Sequence, residues 1–215
     1  MIYINSLYFG IGLFYFLMDI SKLLRKYKTQ PGSNEPLDMK KFLTAIPNVL
    51  FNQLVIGTIA IYVIYVLGDY ALAADIRATP SFYRLMFDLI GFGLINEFGF
   101  YYSHRLLHHK NFYKWIHKKH HEWTGLLLFY HKLKSCNFSM RLFTAPVALM
   151  AAYCHPIEYI FGNILPIVAG NLFLRYSLAS NWIIYGVAIL TTLNDHSGYH
   201  LPFLNSSEFH DYHHL

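Results

Sequence analysis

Charge is scarce in this sequence. Asp, Glu, Lys and Arg make up 13% of its 215 residues, about half the share of a water-soluble domain. That excludes a soluble globule, and the 55% apolar content excludes a disordered chain. Cysteine is nearly absent: Cys136 and Cys154 could form one bridge at most, which excludes a disulfide scaffold, and both are read as free thiols. No internal repeat or low-complexity tract is present, so repeat arrays and collagen are excluded as well. Acids number 12 against 17 Lys and Arg. The basic residues flank long apolar runs rather than a polar surface, so membrane topology explains them and nucleic acid is not an expected partner.

What is present is hydrophobic length. A membrane-spanning helix needs about 20 mainly apolar residues. Ile2–Ile20, Val49–Leu67, Leu85–Ser103, Tyr159–Leu174 and Tyr176–Asn194 read as candidate spans. Asp88 and Glu97 interrupt the third, and Arg175 separates the last two, which read as a tight hairpin. Ile2–Ile20 has no basic residue before it and no small-residue cleavage site after it, so it reads as a retained anchor. Leu142–Cys154 is too short to cross and reads as an interfacial or re-entrant helix. The segment 21–48 carries six basic residues against Glu35 and Asp38, and 104–141 carries eight against Glu122. Cytosolic loops hold such excesses. Both segments are therefore expected in the cytosol, with 68–84 opposite. The fold class is all-α, a polytopic membrane helical protein with about four to five membrane segments. Residues 1–84 read as an N-terminal membrane anchor region and 85–215 as the motif-bearing domain, with no boundary that separates two independent units.

Histidine is the anomaly. There are 13, and eleven lie in the windows 104–121 and 196–214. His104 and His108 are four apart; His117, His120 and His121 are i, i+3 and i+4. The same spacings recur in His196 with His200, and in His210, His213 and His214. On a helix each set shares one face. Neutral imidazole ligates Fe, Zn, Cu and Ni, and a lone structural zinc needs only four ligands. Four clusters with ten nitrogens favour two metal ions, although the spacing does not choose iron over zinc. A loop of solvated histidines is the plain alternative, and four periodic clusters weigh against it. His109, His131 and His155 read as a surface residue, an incidental one and a helix boundary. Metal-bound histidines hand their second N–H to a carboxylate or carbonyl. Glu122, Asp195 and Asp211 adjoin the clusters, and Glu97 lies seven residues before His104 on the same stripe. Tyr101, Tyr102 and Trp115 read as an interfacial aromatic belt.

The ordered motifs resemble the sterol desaturase/fatty acid hydroxylase superfamily, and within it the C-4 methylsterol oxidases and fatty acid hydroxylase domain-containing proteins. They are His-Arg-Leu-Leu-His-His from His104, His-Lys-Lys-His-His-Glu-Trp from His117, His-Pro-Ile-Glu from His155, His-Ser-Gly-Tyr-His-Leu-Pro from His196 and Glu-Phe-His-Asp-Tyr-His-His from Glu208. The resemblance covers about Glu97 to Leu215 and makes 85–215 a fatty acid hydroxylase-like domain. It implies a multi-pass endoplasmic reticulum membrane enzyme with a dinuclear iron centre facing the cytosol. It also implies use of O2, electrons from NAD(P)H through a cytochrome b5-type carrier, and a sterol or fatty acyl lipid substrate. The metal ligands carried over are His104, His108, His117, His120, His121, His196, His200, His210, His213 and His214; zinc is the alternative metal. Two departures stand out. Residues 124–144 read as an insertion, and the chain stops one residue after His214, where related proteins continue. Two other readings follow: a non-catalytic zinc-binding membrane protein, and an inactive truncated relative.

Overall fold

Polar side chains inside and large apolar ones outside give the molecule its character. Asn52, Asp88 and Ser180 are completely buried, while Leu94 is 70% and Phe173 76% exposed. In water that arrangement would be costly; in lipid it is what helix packing requires. The computed structural model describes residues 1–29, 37–67, 79–123, 146–208 and 210. The stretch read as an insertion, together with His213, His214 and Asp211, lies outside them.

Among the described residues the structure is helical, with one isolated bridge between Lys28 and Tyr199. Helix α1 is Ile2–Ser21 and α2 is Met39–Leu50; a wide π turn, Phe51–Ile56, joins α2 to α3, Gly57–Leu67. Helix α4 is Phe82–Leu107 and α5 the short Lys110–Tyr113, followed by the 3-10 segment His117–Trp123. A second 3-10 segment spans Ala148–Ala152. Then α6, Pro156–Glu158, runs through a π turn, Tyr159–Ile164, into α7, Leu165–Leu174, and α8 is Leu178–Asp195. Ile2–Ser21, Met39–Ile64 and Pro156–Leu174 are long and apolar enough to cross a membrane. The expected spans at 85–103 and 176–194 are helices too, but more polar ones.

Among the described residues, five helical runs alternate in direction. Tyr3 donates to the Trp182 carbonyl (2.8 Å) and Tyr15 to Asn194 Oδ1 (3.0 Å), so α1 and α8 run parallel. Ser180 donates to Asp88 Oδ2 at 2.7 Å, pairing the starts of α4 and α8. Arg84 Nε completes that buried carboxylate at 2.8 Å. A Cβ on Gly91 would strike Leu174, and one on Gly99 would come within 3.3 Å of Pro166 Cβ. Small residues let α4 lie close and antiparallel to the α6–α7 run. At the start of α2, Lys41 Nζ donates to the Glu122 carbonyl at 2.6 Å. The ends of α1, α4 and α8 and the starts of α2 and α6 therefore meet at one end of the bundle, and every described histidine window lies there.

The segment read as interfacial or re-entrant is a buried 3-10 wedge, with Ala148–Ala152 all buried. Irregular backbone inside a membrane bundle must find protein partners. Tyr8 donates to the Leu149 carbonyl (2.9 Å) and accepts from the Ala152 N–H (3.1 Å). Asn52 Nδ2 donates to the carbonyls of Ala152 (2.9 Å) and Cys154 (3.0 Å).

Candidate metal centre

The first histidine window sits at the C-terminal end of α4, with His108 as its C-cap residue. His108 Nε2 lies 3.1 Å from both His104 Nε2 and His117 Nε2. These three form one group whose donor nitrogens all lie within 4.8 Å of one another. The His121 ring stands beside them, its centroid 4.6 Å from that of His117 and 5.1 Å from that of His108. A second group combines His120, His196 and His210 within the same limit. His196 Nε2 is 3.3 Å from His120 Nε2, and the His196 and His210 rings are 4.0 Å apart.

Local geometry explains the division. His117–Trp123 is a 3-10 helix, in which residues three apart eclipse. His117 and His120 therefore stack side by side, centroids 5.7 Å apart, one joining each group. The second sequence cluster is thus not a site of its own but a rung shared between two.

The imidazoles are oriented from behind. His117 Nδ1 donates to Glu158 Oε1 at 2.7 Å, His120 Nδ1 faces the Tyr153 carbonyl at 3.4 Å, and His196 Nδ1 donates to the Thr192 carbonyl at 2.7 Å. Each such bond places the proton on Nδ1 and leaves the Nε2 lone pair facing the group. Burial pushes the basicity of His117, His120 and His108 down, and the neighbouring imidazoles push His117 and His120 further. His196 is lowered to about 4, again by burial first. Neutral imidazoles with converging lone pairs repel one another unless a cation lies between them. Ligands about 2.0–2.1 Å from one ion stand about 2.9–3.4 Å apart. The observed 3.1 Å and 3.3 Å separations fall in that interval. The donor set fits two cations.

A cavity of about 420 Å³ begins at these rings. His104, His120, His196 and His210 form its polar end, and it runs between the helices to Ile4, Gly57 and Ile61. Glu97 and Asp195 line its wall. Glu122 stands further off: its carboxylate accepts from the Tyr153 hydroxyl at 2.9 Å. His200 is exposed and belongs to neither group, its backbone N–H donating to the Tyr27 carbonyl at 2.8 Å. His109 and His155 cap the N-termini of α5 and α6. Tyr101, Tyr102 and Trp115 are exposed, as a membrane belt would be. The sequence pattern assigns no role to Glu158, Tyr153 or Thr192. Only Glu158 carried a signal, an acid at the mouth of an apolar run.

These features define a helical membrane protein with paired histidine groups at the head of an internal cavity. Human fatty acid hydroxylase domain-containing protein 2 is 41% identical over 192 residues, 89% of this chain and 52% of that protein. A fatty acid hydroxylase of Mycosarcoma maydis is 34% identical over 208 residues, 95% of this chain and 48% of its own length. A Dictyostelium discoideum protein named as a candidate methylsterol monooxygenase is 32% identical over 216 residues, 96% of this chain and 71% of its own length. The chain therefore belongs to the sterol desaturase/fatty acid hydroxylase superfamily, and it spans about half the length of the first two relatives. No family model and no solved structure matches it.

Proposed function

We propose that this chain forms the membrane-embedded core of an O2-dependent lipid oxidoreductase. One iron would be held by His104, His108 and His117 with His121 adjacent, the other by His120, His196 and His210, with His213 and His214 supplied by the last motif. Iron bound there would supply the reduction of O2 with two electrons, passed from NAD(P)H by a cytochrome b5-type carrier, and two protons, so that one oxygen atom would enter a lipid C–H bond and the other would leave as water.

The chain's own part is positional. The apolar walls of the cavity exclude water and guide a sterol methyl group or fatty acyl carbon toward the rings. Glu158 holds the Nδ1 proton of His117, and Thr192 that of His196. Lys22, Arg25, Lys26, Lys40, Lys41, Arg105 and Lys110 cluster toward the histidine end in sequence. By the charge rule that end would face the cytosol, the membrane being that of the endoplasmic reticulum on the family resemblance.

The observation that carries the reading is the pair of three-histidine groups opening directly into the cavity. The test is metal analysis and O2 consumption of detergent-purified protein with a lipid panel, reductant and product mass analysis. About two irons per chain and an oxidised lipid are expected. His120→Ala and His213→Ala each remove metal and turnover while membrane insertion persists. Zinc without O2 consumption would support a non-catalytic zinc-binding membrane protein instead, and full turnover in both variants would refute the ligand roles.

A further inference from the structure

Glu158 is the first acid of the α6–α7 run and sits at its buried mouth. The residue is 3% exposed, and its Oε1 accepts from His117 Nδ1 at 2.7 Å. The imidazole is wholly buried and the carboxylate nearly so, with side-chain exposures of 0% and 4%. The second carboxylate oxygen, Oε2, is buried and has no hydrogen-bond partner among the described residues. A buried carboxylate satisfied at one oxygen by a neutral ring is costly on its own. A cation held on the far side of the same ring, where His117 Nε2 joins His104 and His108, would supply compensating charge.

Sequence position reinforces the geometry. Pro156 opens the helix, and the His155 side chain caps it by accepting from the Ile157 N–H at 3.2 Å. Helix start and carboxylate are thus fixed together, which holds Glu158 rigidly behind a ring 41 residues earlier in the chain. The carboxylate accepts the Nδ1 proton, aims Nε2 inward and makes that nitrogen a stronger donor.

We infer that Glu158 is a positioning residue that acts through His117 to strengthen the cation position formed by His104, His108 and His117. The assignment rests on the metal-centre reading above. It deepens that reading by giving one of the two positions a buried charge behind its ligand. The bond from Glu158 goes to His117 of the first group, so its removal should weaken that position and spare the other.

The experiment uses the full chain in detergent, stripped of metal and titrated with Zn²⁺, with bound metal counted by mass analysis and folding followed by thermal melting. Wild type should bind two ions. Glu158→Gln, which keeps the shape and loses the charge, should bind one as before and the other about 10- to 100-fold more weakly. Glu158→Asp should recover part of the loss. In a His196→Ala background, which removes the second position, Glu158→Gln should weaken binding of the remaining ion by the same about 10- to 100-fold. Retention of two ions at wild-type affinity in Glu158→Gln overturns the assignment, as does equal weakening of both. A measurement on unaltered protein guards against a variant that does not fold. In zinc-loaded wild type, histidine ¹⁵N NMR should show His117 protonated at Nδ1 and ligated through Nε2; the reverse tautomer overturns the role of Glu158. Wild type that binds no metal overturns the metal-centre reading and this assignment with it, whereas two ions bound with equal affinities by wild type and Glu158→Gln overturn only the latter.

Discussion

The Tyr199 hydroxyl donates to Asp19 Oδ1 at 3.0 Å, joining the end of the first helix to the stretch between His196 and His200, 180 residues later. Lys28 Nζ reaches the same oxygen at 3.0 Å, with both charged side chains 3% exposed. The backbone repeats the link: Thr29 N–H donates to the Gly198 carbonyl at 3.0 Å. The third histidine stretch is thus held by the N-terminal helix and the turn after it. Lys28→Met leaves the Asp19 carboxylate buried without its cation and should cost about 3–5 kcal/mol. Adding Asp19→Leu should restore most of that loss. Thermal melting in detergent reads both, and a Lys28→Met protein that melts like wild type would show that the pair carries little.

The buried wedge at Ala148–Ala152 depends on two polar side chains from other helices. Asn52→Leu keeps the size of the side chain but removes the amide donor shared by the Ala152 and Cys154 carbonyls, leaving the former only the Cys154 N–H and thiol, and Tyr8→Phe removes the hydroxyl that serves the Leu149 carbonyl and the Ala152 N–H. Each should destabilise by about 1–3 kcal/mol. Because Tyr153 follows the wedge and faces His120, Asn52→Leu should also weaken Zn²⁺ binding. Unchanged melting in both variants would show that water reaches this backbone.

Part of this was legible in the sequence, for identifiable reasons. Apolar runs located the helices, and the four-residue spacing of His104 and His108 survives on a real α-helical turn. The charge pattern placed both windows at one end of the bundle, where the structure has them. Helix α2 starts at Met39, ten residues before the apolar run at Val49, because Lys40 and Lys41 interrupt the apolar pattern without ending the helix. Asp38 in fact caps a helix there, accepting from the Lys41 N–H at 3.0 Å, and long basic side chains sit readily at a helix end near an interface. The division of His117 from His120 was invisible to a 3.6-residue period, because the segment winds with three residues per turn. The bond between Glu158 and His117, like that between Tyr199 and Asp19, is set by helix packing, and no local pattern encodes it.

Acid should unfold the metal-free protein sooner than its carboxylates alone require. His196 is lowered from 6.5 to about 4 by burial, against a smaller raising effect of its bond to the Thr192 carbonyl. Between those values the unfolded chain takes up a proton that the folded chain refuses, so stability falls as pH drops from 6.5 toward 4 and the loss from this residue is complete below that. His117 and His120 shift in the same direction. Melting temperature against pH for the stripped protein should therefore decline steadily below about 6.5. Zn²⁺ should hold it level until protons compete for the rings. A flat profile for the stripped protein between pH 6.5 and pH 4 would mean these imidazoles are hydrated.

Gly93 offers a way to close the cavity without touching the histidines. It lines the cavity wall on α4, and a Cβ built there meets nothing within 4 Å. Its neighbour Gly91 differs: there the added atom would strike Leu174. Gly93→Leu should therefore enter open space and fill part of the cavity. It should also gain about 0.5–1 kcal/mol from replacing glycine in a helix interior. If lipid reaches the rings through this space, turnover should fall at least about tenfold, the factor that 1.4 kcal/mol of lost transition-state binding gives. Metal content and melting temperature should be retained or raised. Turnover equal to wild type, in protein shown by mass analysis to carry its full metal, would place the lipid path elsewhere. Lower metal content would show instead that the substitution reaches the rings and not the path.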